Sequence, residues 1–177
     1  MAEPAAAGEE VTMNVEQLMT STVRTCCPND PLSDAARVMW EADCGCVPVT
    51  EECYGSAKVV GMITDRDICI ALATRNKLPG EVTASEVTDG KLYACSPDDE
   101  IHVALLTMQE GKVRRLPVID SVGKAVGVLS MDDVLLRAEP CGPGKIVELS
   151  TDEVVRSYRA INRRELPQMA EKRRVAA

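Results

Sequence analysis

A seven-residue signature that occurs twice is the strongest constraint on the fold of this chain. It runs from Gly61 to Asp67 (GMITDRD) and again from Gly127 to Asp133 (GVLSMDD). Each copy is a glycine, two apolar residues, a hydroxyl residue, two variable residues and an aspartate, and an apolar-proline-apolar step precedes it. The two prolines, Pro48 and Pro117, are 69 positions apart. A chain that repeats a unit of this length is built from two similar lobes.

The hydrophobic spacing predicts the same order of elements in both lobes: a strand, a helix, two strands and a helix. The elements predicted in the first lobe are a strand at 22–25, a helix capped by Asp30 with Pro31 at its first position and stopped by Gly45, strands at 47–49 and 58–63 joined by a turn containing Gly55, and a helix opened by Thr64. Those predicted in the second lobe are a strand at 92–95, a helix capped by Asp99 and ended by Gly111, strands at 116–119 and 125–129, and a helix at 131–138.

Composition shifts predict where the chain divides. The predicted segments are a disordered tail at 1–12, the first motif at 13–78, the second motif at 79–139, a Pro/Gly linker at 140–149, and a C-terminal helix with a basic tail at 150–177. Val154, Tyr158 and Ile161 give the last helix an apolar face, and its four arginines give it a basic one. These arginines are Arg156, Arg159, Arg163 and Arg164.

Composition also narrows the classes of function. The 177 residues carry a formal charge of −8, which argues against nonspecific binding to nucleic acid or to anionic membranes. No apolar run is long enough to cross a bilayer, and the first ten residues lack the features of a secretory signal. We therefore expect a cytoplasmic protein whose eight cysteines are thiols. The core contains no Phe and must be filled by aliphatic residues, Met and Cys.

The duplicated signature, the upstream prolines and the capped helices together closely resemble a tandem pair of CBS (cystathionine-β-synthase) domains, the Bateman module. The resemblance covers Val15 to Ala138. It implies an α/β (α+β) fold in which two strand-helix-strand-strand-helix motifs pack sheet to sheet about a pseudo-twofold axis. It also implies two clefts for adenosine ligands such as AMP, ADP, ATP, NAD or S-adenosylmethionine, dimerisation through helices, and a regulatory role rather than a catalytic one.

The resemblance also implies which residues bind the ligand. In that family the signature hydroxyl and aspartate hold the ribose hydroxyls, and backbone groups of the early strand and of the pre-proline strand hold the adenine. The clefts are expected to lie between the two CBS motifs, each with its own set of residues. The set expected in the first cleft is Thr22, Val23, Cys46, Val47, Pro48, Thr64 and Asp67. The set expected in the second cleft is Tyr93, Ala94, Arg115, Leu116, Pro117, Ser130 and Asp133.

The signature has a structural interpretation as well, because a hydroxyl residue followed three positions later by an aspartate forms a capping box. The two roles can coexist, since a ribose diol needs an acceptor carboxylate near a helix start and a phosphate benefits from free N–H groups there. Arg66 favours a phosphorylated ligand in the first cleft. Asp132, at the equivalent position, disfavours one in the second, and Arg114 and Arg115 could offset it. The alternative is that all of these are solvated surface charges; the phosphate-binding role is favoured for Arg66 and Arg115, and the two interpretations are level for Arg114.

Three hypotheses follow. The first is a stand-alone sensor that binds an adenosine nucleotide, with AMP favoured, ATP or NAD as other possibilities and S-adenosylmethionine as an alternative, and signals to an unknown protein effector. The second is a ligand-free dimerisation module, for which Trp40, Met39 and Met108 either form the dimer face or simply pack in the core. The third is a thiol-based redox enzyme, against which the absence of a Cys-x-x-Cys pair counts. We expect no metal site, no catalytic cofactor and an outward-facing His102.

Overall fold

The structure is a computed structural model that describes residues 12–53, 56–88, 91–142 and 147–163. The helices within these ranges are α1 (Leu32–Glu41), α2 (Asp65–Arg75), α3 (Ile101–Gly111), α4 (Met131–Arg137) and α5 (Thr151–Asn162), with 3-10 turns at Val15–Gln17, Pro79–Glu81 and Ala84–Glu86. The strands are β1 (Cys46–Cys53), β2 (Ser56–Thr64), β3 (Arg115–Ile119) and β4 (Ala125–Ser130). The predicted turn at Gly55, most of the N-terminal tail, part of the linker and the basic C-terminus with Arg164 lie outside the described residues.

The two lobes are alike down to strand register. β1 and β2 form one antiparallel sheet, and β3 and β4 form the other. Val49 lies opposite Gly61 and Val118 lies opposite Gly127, with a bulge directly after each pair. This agreement confirms the predicted mixed fold of two repeated motifs.

The first strand predicted in each lobe, at 22–25 and at 92–95, is wrong. Each lobe has only a single parallel bridge there, between Cys26 and Val49 and between Cys95 and Val118. Cys26 N donates to Pro48 O at 3.1 Å, and Cys95 N donates to Pro117 O at 3.2 Å. The next bond of either ladder would need the N–H of the proline, which proline lacks. The prolines of the repeat therefore stop the ladder, and residues 22–25 and 92–94 belong to no strand.

The predicted caps Asp30 and Asp99 are also wrong. The Oδ2 of Asp30 accepts from Cys27 N, and that of Asp99 accepts from Ser96 N, both at 2.7 Å. Short acidic side chains often bond to nearby backbone in this way in competition with helix capping. Consequently α1 and α3 begin one residue later than predicted, after Pro31 and Glu100, with no side-chain cap.

The chain after α1 and α3 turns at equivalent residues. Gly45 does not stop α1, contrary to the prediction. The helix already ends at Glu41, and Asp43 makes the left-handed turn at φ 49°. In the second lobe α3 ends at Gly111 as predicted, and Lys112 adopts φ 54°. Asp43 and Lys112 are therefore matched positions with opposite charge.

The hydrophobic cores show that the two lobes exchange their leading segments. Val15 is buried in the core of the second lobe beside Ile101, and Met13 O accepts from Ile101 N at 2.9 Å. Conversely, Val82 and Ala84 are buried in the core of the first lobe. Segment 13–20 thus packs on the second lobe and segment 79–88 packs on the first, although each precedes the other lobe's repeat in sequence.

The signature glycines accommodate these exchanged segments. A Cβ on Gly61 would overlap Thr88 Cγ2, and a Cβ on Gly127 would overlap Met19 Sδ and lie 3.1 Å from Thr20 O. Thr88 and Met19 are again 69 positions apart. The glycine of the signature is needed for this close approach of a crossing chain.

The C-terminal helix α5 packs on α3 and α4 of the second lobe. Val154 and Ile161 are buried in that core and Tyr158 is half-buried against it, as the spacing predicts. His102 does not simply face outward, because its Nδ1 lies 2.6 Å from Glu153 Oε1 across the α3–α5 contact. Within the described residues no helix has the length and apolar character that a membrane crossing requires.

The proposed dimer face must be corrected. Met39 is 5% exposed and Met108 is fully buried, so both belong to the cores. Trp40, by contrast, is 87% exposed, because neighbouring residues on a helix point about 100° apart and cannot both face the core. Of the three predicted residues, only Trp40 is available to a partner.

Candidate ligand-binding clefts

Two cavities lie beside the signatures. One lies between the Thr64 signature and residues 91–93, and the other lies between the Ser130 signature and residues 22–24. The first, the Thr64 cleft, has a volume of ≈ 380 Å³. Its lining residues are Met62, Thr64, Asp65, Arg66, Asp67, Val87, Lys91, Leu92, Tyr93, Gly111, Lys112, Val113, Arg114 and Arg115. Tyr93 forms part of its wall, since the ring lies so close to Gly111 that a Cβ there would be 2.7 Å from Cγ.

The second cavity, the Ser130 cleft, has a volume of ≈ 260 Å³. Its lining residues are Thr20, Thr22, Val23, Arg24, Ala42, Asp43, Cys44, Gly45, Cys46, Pro48, Arg115, Val128, Ser130, Asp132 and Asp133.

The predicted assignment of residues to clefts is therefore wrong, because each cleft combines the signature of one lobe with parts of the other. Thr64 and Asp67 face Tyr93 and Arg115, whereas Ser130 and Asp133 face the set predicted for the first cleft: Thr22, Val23, Cys46 and Pro48. Four predicted residues line neither cleft, namely Val47, Ala94, Leu116 and Pro117; of these Val47 and Leu116 are core residues at 0% exposure.

The exchange of leading segments is the physical reason for this crossing. Thr20 pairs with Val128 through two backbone hydrogen bonds of 3.0 Å, and the chain then runs to Cys26, which bonds to β1. Residues 22 and 23 consequently pass beside Ser130 rather than Thr64. In the same way Thr88 lies over Gly61, and the chain continues past Thr64 to Tyr93.

Both signatures form the predicted capping box. Thr64 N and Oγ1 donate to Asp67 Oδ2 at 3.0 and 2.7 Å, and Asp67 N donates to Thr64 Oγ1 at 3.3 Å. In the second copy Ser130 N and Oγ donate to Asp133 Oδ2 at 2.8 and 2.6 Å. The other carboxylate oxygen, Oδ1, makes no hydrogen bond to a described residue in either copy. The cap therefore orients each aspartate without consuming both of its acceptors.

The two clefts differ in charge. Five cationic residues, Arg66, Lys91, Lys112, Arg114 and Arg115, line the Thr64 cleft against Asp65 and Asp67. The Ser130 cleft has only Arg24 and Arg115 against Asp43, Asp132 and Asp133. Moreover, Arg24 is engaged by Glu41 at 2.7 Å. The Thr64 cleft thus favours an anion and the Ser130 cleft does not.

Sequence reasoning missed several lining residues, including Lys91, Lys112 and Asp43. A signal for Lys91 exists in the repeat itself. Lys91 lies 69 positions after Thr22, which the resemblance did place in a cleft, and Lys112 lies 69 positions after Asp43. Aligning the lobes along their whole length, and not only at the signatures, would have marked Lys91, whereas Lys112 and Asp43 align only with each other and were found by the structure.

Two cysteines line the Ser130 cleft. Burial raises the pKa of the Cys46 thiol to about 11, although the nearby Arg115 charge opposes the rise. Cys46 is therefore protonated at neutral pH and a poor nucleophile. The exposed Cys44 donates from Sγ to Cys46 O at 3.3 Å. Among the described residues no group of three or more His, Cys, Asp or Glu side chains is arranged to hold a metal ion.

Comparison with known proteins bears on this arrangement. The family profile described as "CBS domain" matches residues 15–74 and again residues 84–139. The chain belongs to the CBS domain family. The two matched segments coincide with the two repeats, so the chain contains a CBS pair.

Individual relatives agree with this assignment. The CBS domain-containing protein YhcV of Bacillus subtilis is 32% identical over 121 residues, which cover 68% of this chain and 82% of that protein. A crystal structure of Hypoxic Response Protein I with two coordinated zinc ions is 30% identical, with a TM-score of 0.63 over 72% of this chain and 100% of its own. The CBS domain pair of protein MJ0100, solved with 5′-methylthioadenosine and S-adenosyl-L-methionine, shares the fold at 24% identity and a TM-score of 0.61, over 70% and 93% of the two chains.

Proposed function

We propose that the CBS pair binds an adenosine nucleotide in the Thr64 cleft and acts as a regulatory sensor rather than as an enzyme. AMP is the favoured ligand, and ATP or NAD would use the same contacts. The observation that carries the proposal is the pairing of a pre-oriented hydroxyl and carboxylate, Thr64 and Asp67, with a wall of cationic residues in one cavity.

The ribose would bind at the signature. Asp67 is held through Oδ2 by the capping box, so its Oδ1 is available to accept from a ribose hydroxyl. Because the carboxylate is already oriented by the N–H and hydroxyl of Thr64, little side-chain entropy is lost on binding. A hydrogen bond to a charged acceptor contributes about 1.5–3 kcal/mol.

The phosphate would bind among the cations. Arg66 and Arg114 have no side-chain partner among the described residues, so both can turn toward an anion without breaking an ion pair. Guanidinium groups bind phosphate through two parallel hydrogen bonds. This chemistry favours AMP over adenosine in the Thr64 cleft.

The ligands of MJ0100 indicate what this fold can hold, namely an adenosine group with or without a charged tail. S-adenosylmethionine carries a sulfonium cation, which the Arg66 and Arg114 side chains of the Thr64 cleft would repel. The alternative of an S-adenosylmethionine sensor therefore fits the Ser130 cleft, lined by Asp43 and Asp132, better than the Thr64 cleft.

Calorimetric titration with AMP, ATP, NAD, S-adenosylmethionine and adenosine tests the proposal. We expect AMP to bind at least about tenfold more tightly than adenosine, with the difference reduced in Arg66→Ala. If no adenosine compound binds at millimolar concentration, the sensor hypothesis is wrong.

A second candidate function, the ligand-free dimerisation module, is supported by exposed apolar side chains. Trp40 is 87% exposed, Leu136 88% and Leu106 63%. Such side chains are often covered by a partner. Sedimentation at micromolar concentration should show a homodimer that Trp40→Ser weakens. Arg37→Ser, three residues before Trp40 on α1, is the control. A purely monomeric chain contradicts this role.

A further inference from the structure

Arg115 lies at the junction of the two clefts. It is the first residue of β3 and pairs in register with Ser130, so its backbone belongs to the second lobe. Its side chain reaches the first lobe, since a Cβ placed on Gly45 would lie 3.4 Å from Arg115 Nη2. Arg115 accordingly lines both the Thr64 cleft and the Ser130 cleft.

The guanidinium of Arg115 has no ion pair or hydrogen bond to a described residue, although the residue is half-buried. A half-buried cation without a partner is costly to desolvate and gains most from a bound anion. The Asp65 carboxylate lies on the same side of Gly45, since a Cβ placed on Gly45 would be 3.3 Å from Asp65 Oδ2. It nevertheless forms no ion pair with Arg115.

The pseudosymmetric position offers no second cation. Cys46 stands 69 positions before Arg115, opens β1 and pairs with Thr64 as Arg115 pairs with Ser130. Cys46 is buried and its thiol is neutral at neutral pH. In the Ser130 cleft the one other cation of the lining, Arg24, is already paired with Glu41.

We propose that Arg115 is a single phosphate-binding group shared by the two clefts, which makes the binding of two phosphorylated nucleosides mutually unfavourable. A nucleotide in the Thr64 cleft draws the guanidinium to its phosphate. The Ser130 cleft is then left with Asp43, Asp132 and Asp133 around any second phosphate. Adenosine in the Ser130 cleft makes no such demand and binds independently. This inference rests on the proposed function and adds a coupling between its two sites.

The test uses calorimetric titration of AMP into three forms of the full chain. Asp133→Ala weakens binding in the Ser130 cleft roughly tenfold or more, so its isotherm reports mainly the Thr64 cleft, and Asp67→Ala in the same way reports mainly the Ser130 cleft. If the clefts were independent, the two single-cleft isotherms would add up to that of the unaltered chain. We expect instead a second binding step about tenfold weaker than the Ser130 cleft shows by itself.

The same three titrations in an Arg115→Gln background should become additive. Arg114→Gln is the matched control, because Arg114 is the neighbouring arginine and lines only the Thr64 cleft; it should weaken AMP binding there and leave the coupling intact. A further set of titrations uses adenosine in place of AMP and needs no arginine variant to fold. The adenosine isotherms of the two clefts should be additive without any change to Arg115.

Additive AMP isotherms in the unaltered chain, or coupling that persists in Arg115→Gln, overturn the inference. So does a Ser130 cleft that binds no AMP even when Asp67→Ala disables the Thr64 cleft, although the proposed function would then stand. Absence of AMP binding in Asp133→Ala and in the unaltered chain would instead contradict the proposed function itself.

Discussion

The Thr64 cleft and the Ser130 cleft are built from equivalent positions, yet they differ where charge matters. Lys112 and Asp43 both follow a helix in left-handed conformation, and Arg66 and Asp132 are both the second residue of their helix, two positions after the capping hydroxyl residue. The capping boxes that orient the aspartates, by contrast, agree to within 0.2 Å in every hydrogen bond. The comparison teaches that the two motifs share the geometry that orients the aspartate and differ in the charges of the residues around it.

Exchanging the charges at the equivalent positions Arg66 and Asp132 should produce the largest effect on AMP affinity. Arg66→Asp gives the Thr64 cleft the residue of its counterpart, and the loss of a charge-assisted hydrogen bond plus the added repulsion should lower AMP affinity roughly a hundredfold. Asp132→Arg should strengthen AMP binding in the Ser130 cleft. Calorimetry of each variant measures both changes, and adenosine serves as the uncharged control. Equal affinities for AMP in the two clefts of the unaltered chain would remove the basis of the comparison.

Removing the ribose acceptor should have the next largest effect, and it should be alike in both clefts. Asp67→Ala deletes a charged hydrogen-bond acceptor, so we expect a loss of about 1.5–3 kcal/mol, or tenfold or more in affinity. Asp133→Ala is the matched variant. Because each substitution also removes half of a capping box, thermal unfolding is measured alongside. A folded Asp67→Ala variant with unchanged AMP affinity would place the ligand elsewhere.

The signature glycines should affect stability rather than affinity. Gly61→Ala forces a methyl group into Thr88, and overpacking of this kind costs about 1–3 kcal/mol. Gly127→Ala should cost less, since Met19 has a flexible side chain, although Thr20 O also lies close. Gly80, with nothing within 4 Å, is the control, and Gly80→Ala should leave stability unchanged or slightly raised. Urea unfolding measures the stability of all three variants. An unchanged free energy of unfolding in Gly61→Ala would contradict the packing of segment 79–88 on the first lobe.

The smallest effect is expected in α5, which packs on the second lobe, the lobe that supplies Lys112. Lys112 lines the Thr64 cleft while its Nζ donates to Ala160 O of α5 at 2.8 Å. A bound phosphate that attracts this ammonium should therefore raise hydrogen exchange in the last turn of α5 severalfold at saturating AMP. Lys112→Met should show the faster exchange without ligand. Unchanged exchange across Ser150 to Asn162, despite a clear rise in melting temperature, would show that α5 does not report occupancy.

Much of the fold could be predicted because its signals are local. The capping boxes of Thr64 and Ser130 depend on residues three positions apart, and the buried faces of α3 and α5 follow from helical spacing. The errors at Asp30 and Asp99 arose because a turn three residues upstream competed for the same carboxylate. The predicted strands failed at Pro48 and Pro117, whose missing N–H acts on a partner segment more than twenty residues away.

By itself the sequence determined that two like motifs form, that each presents an oriented hydroxyl–aspartate pair, and that Arg66 and Asp132 give the two pairs different neighbours. Only the tertiary structure decided which segments share a cleft. Val15 and Ala84 are each apolar enough for either core, and the two cores are nearly alike, so no local pattern distinguishes packing on the near lobe from packing on the far one. That choice depends on contacts distant in the chain, and it alone brings Thr64 to Tyr93, Ser130 to Thr22, and Arg115 between them.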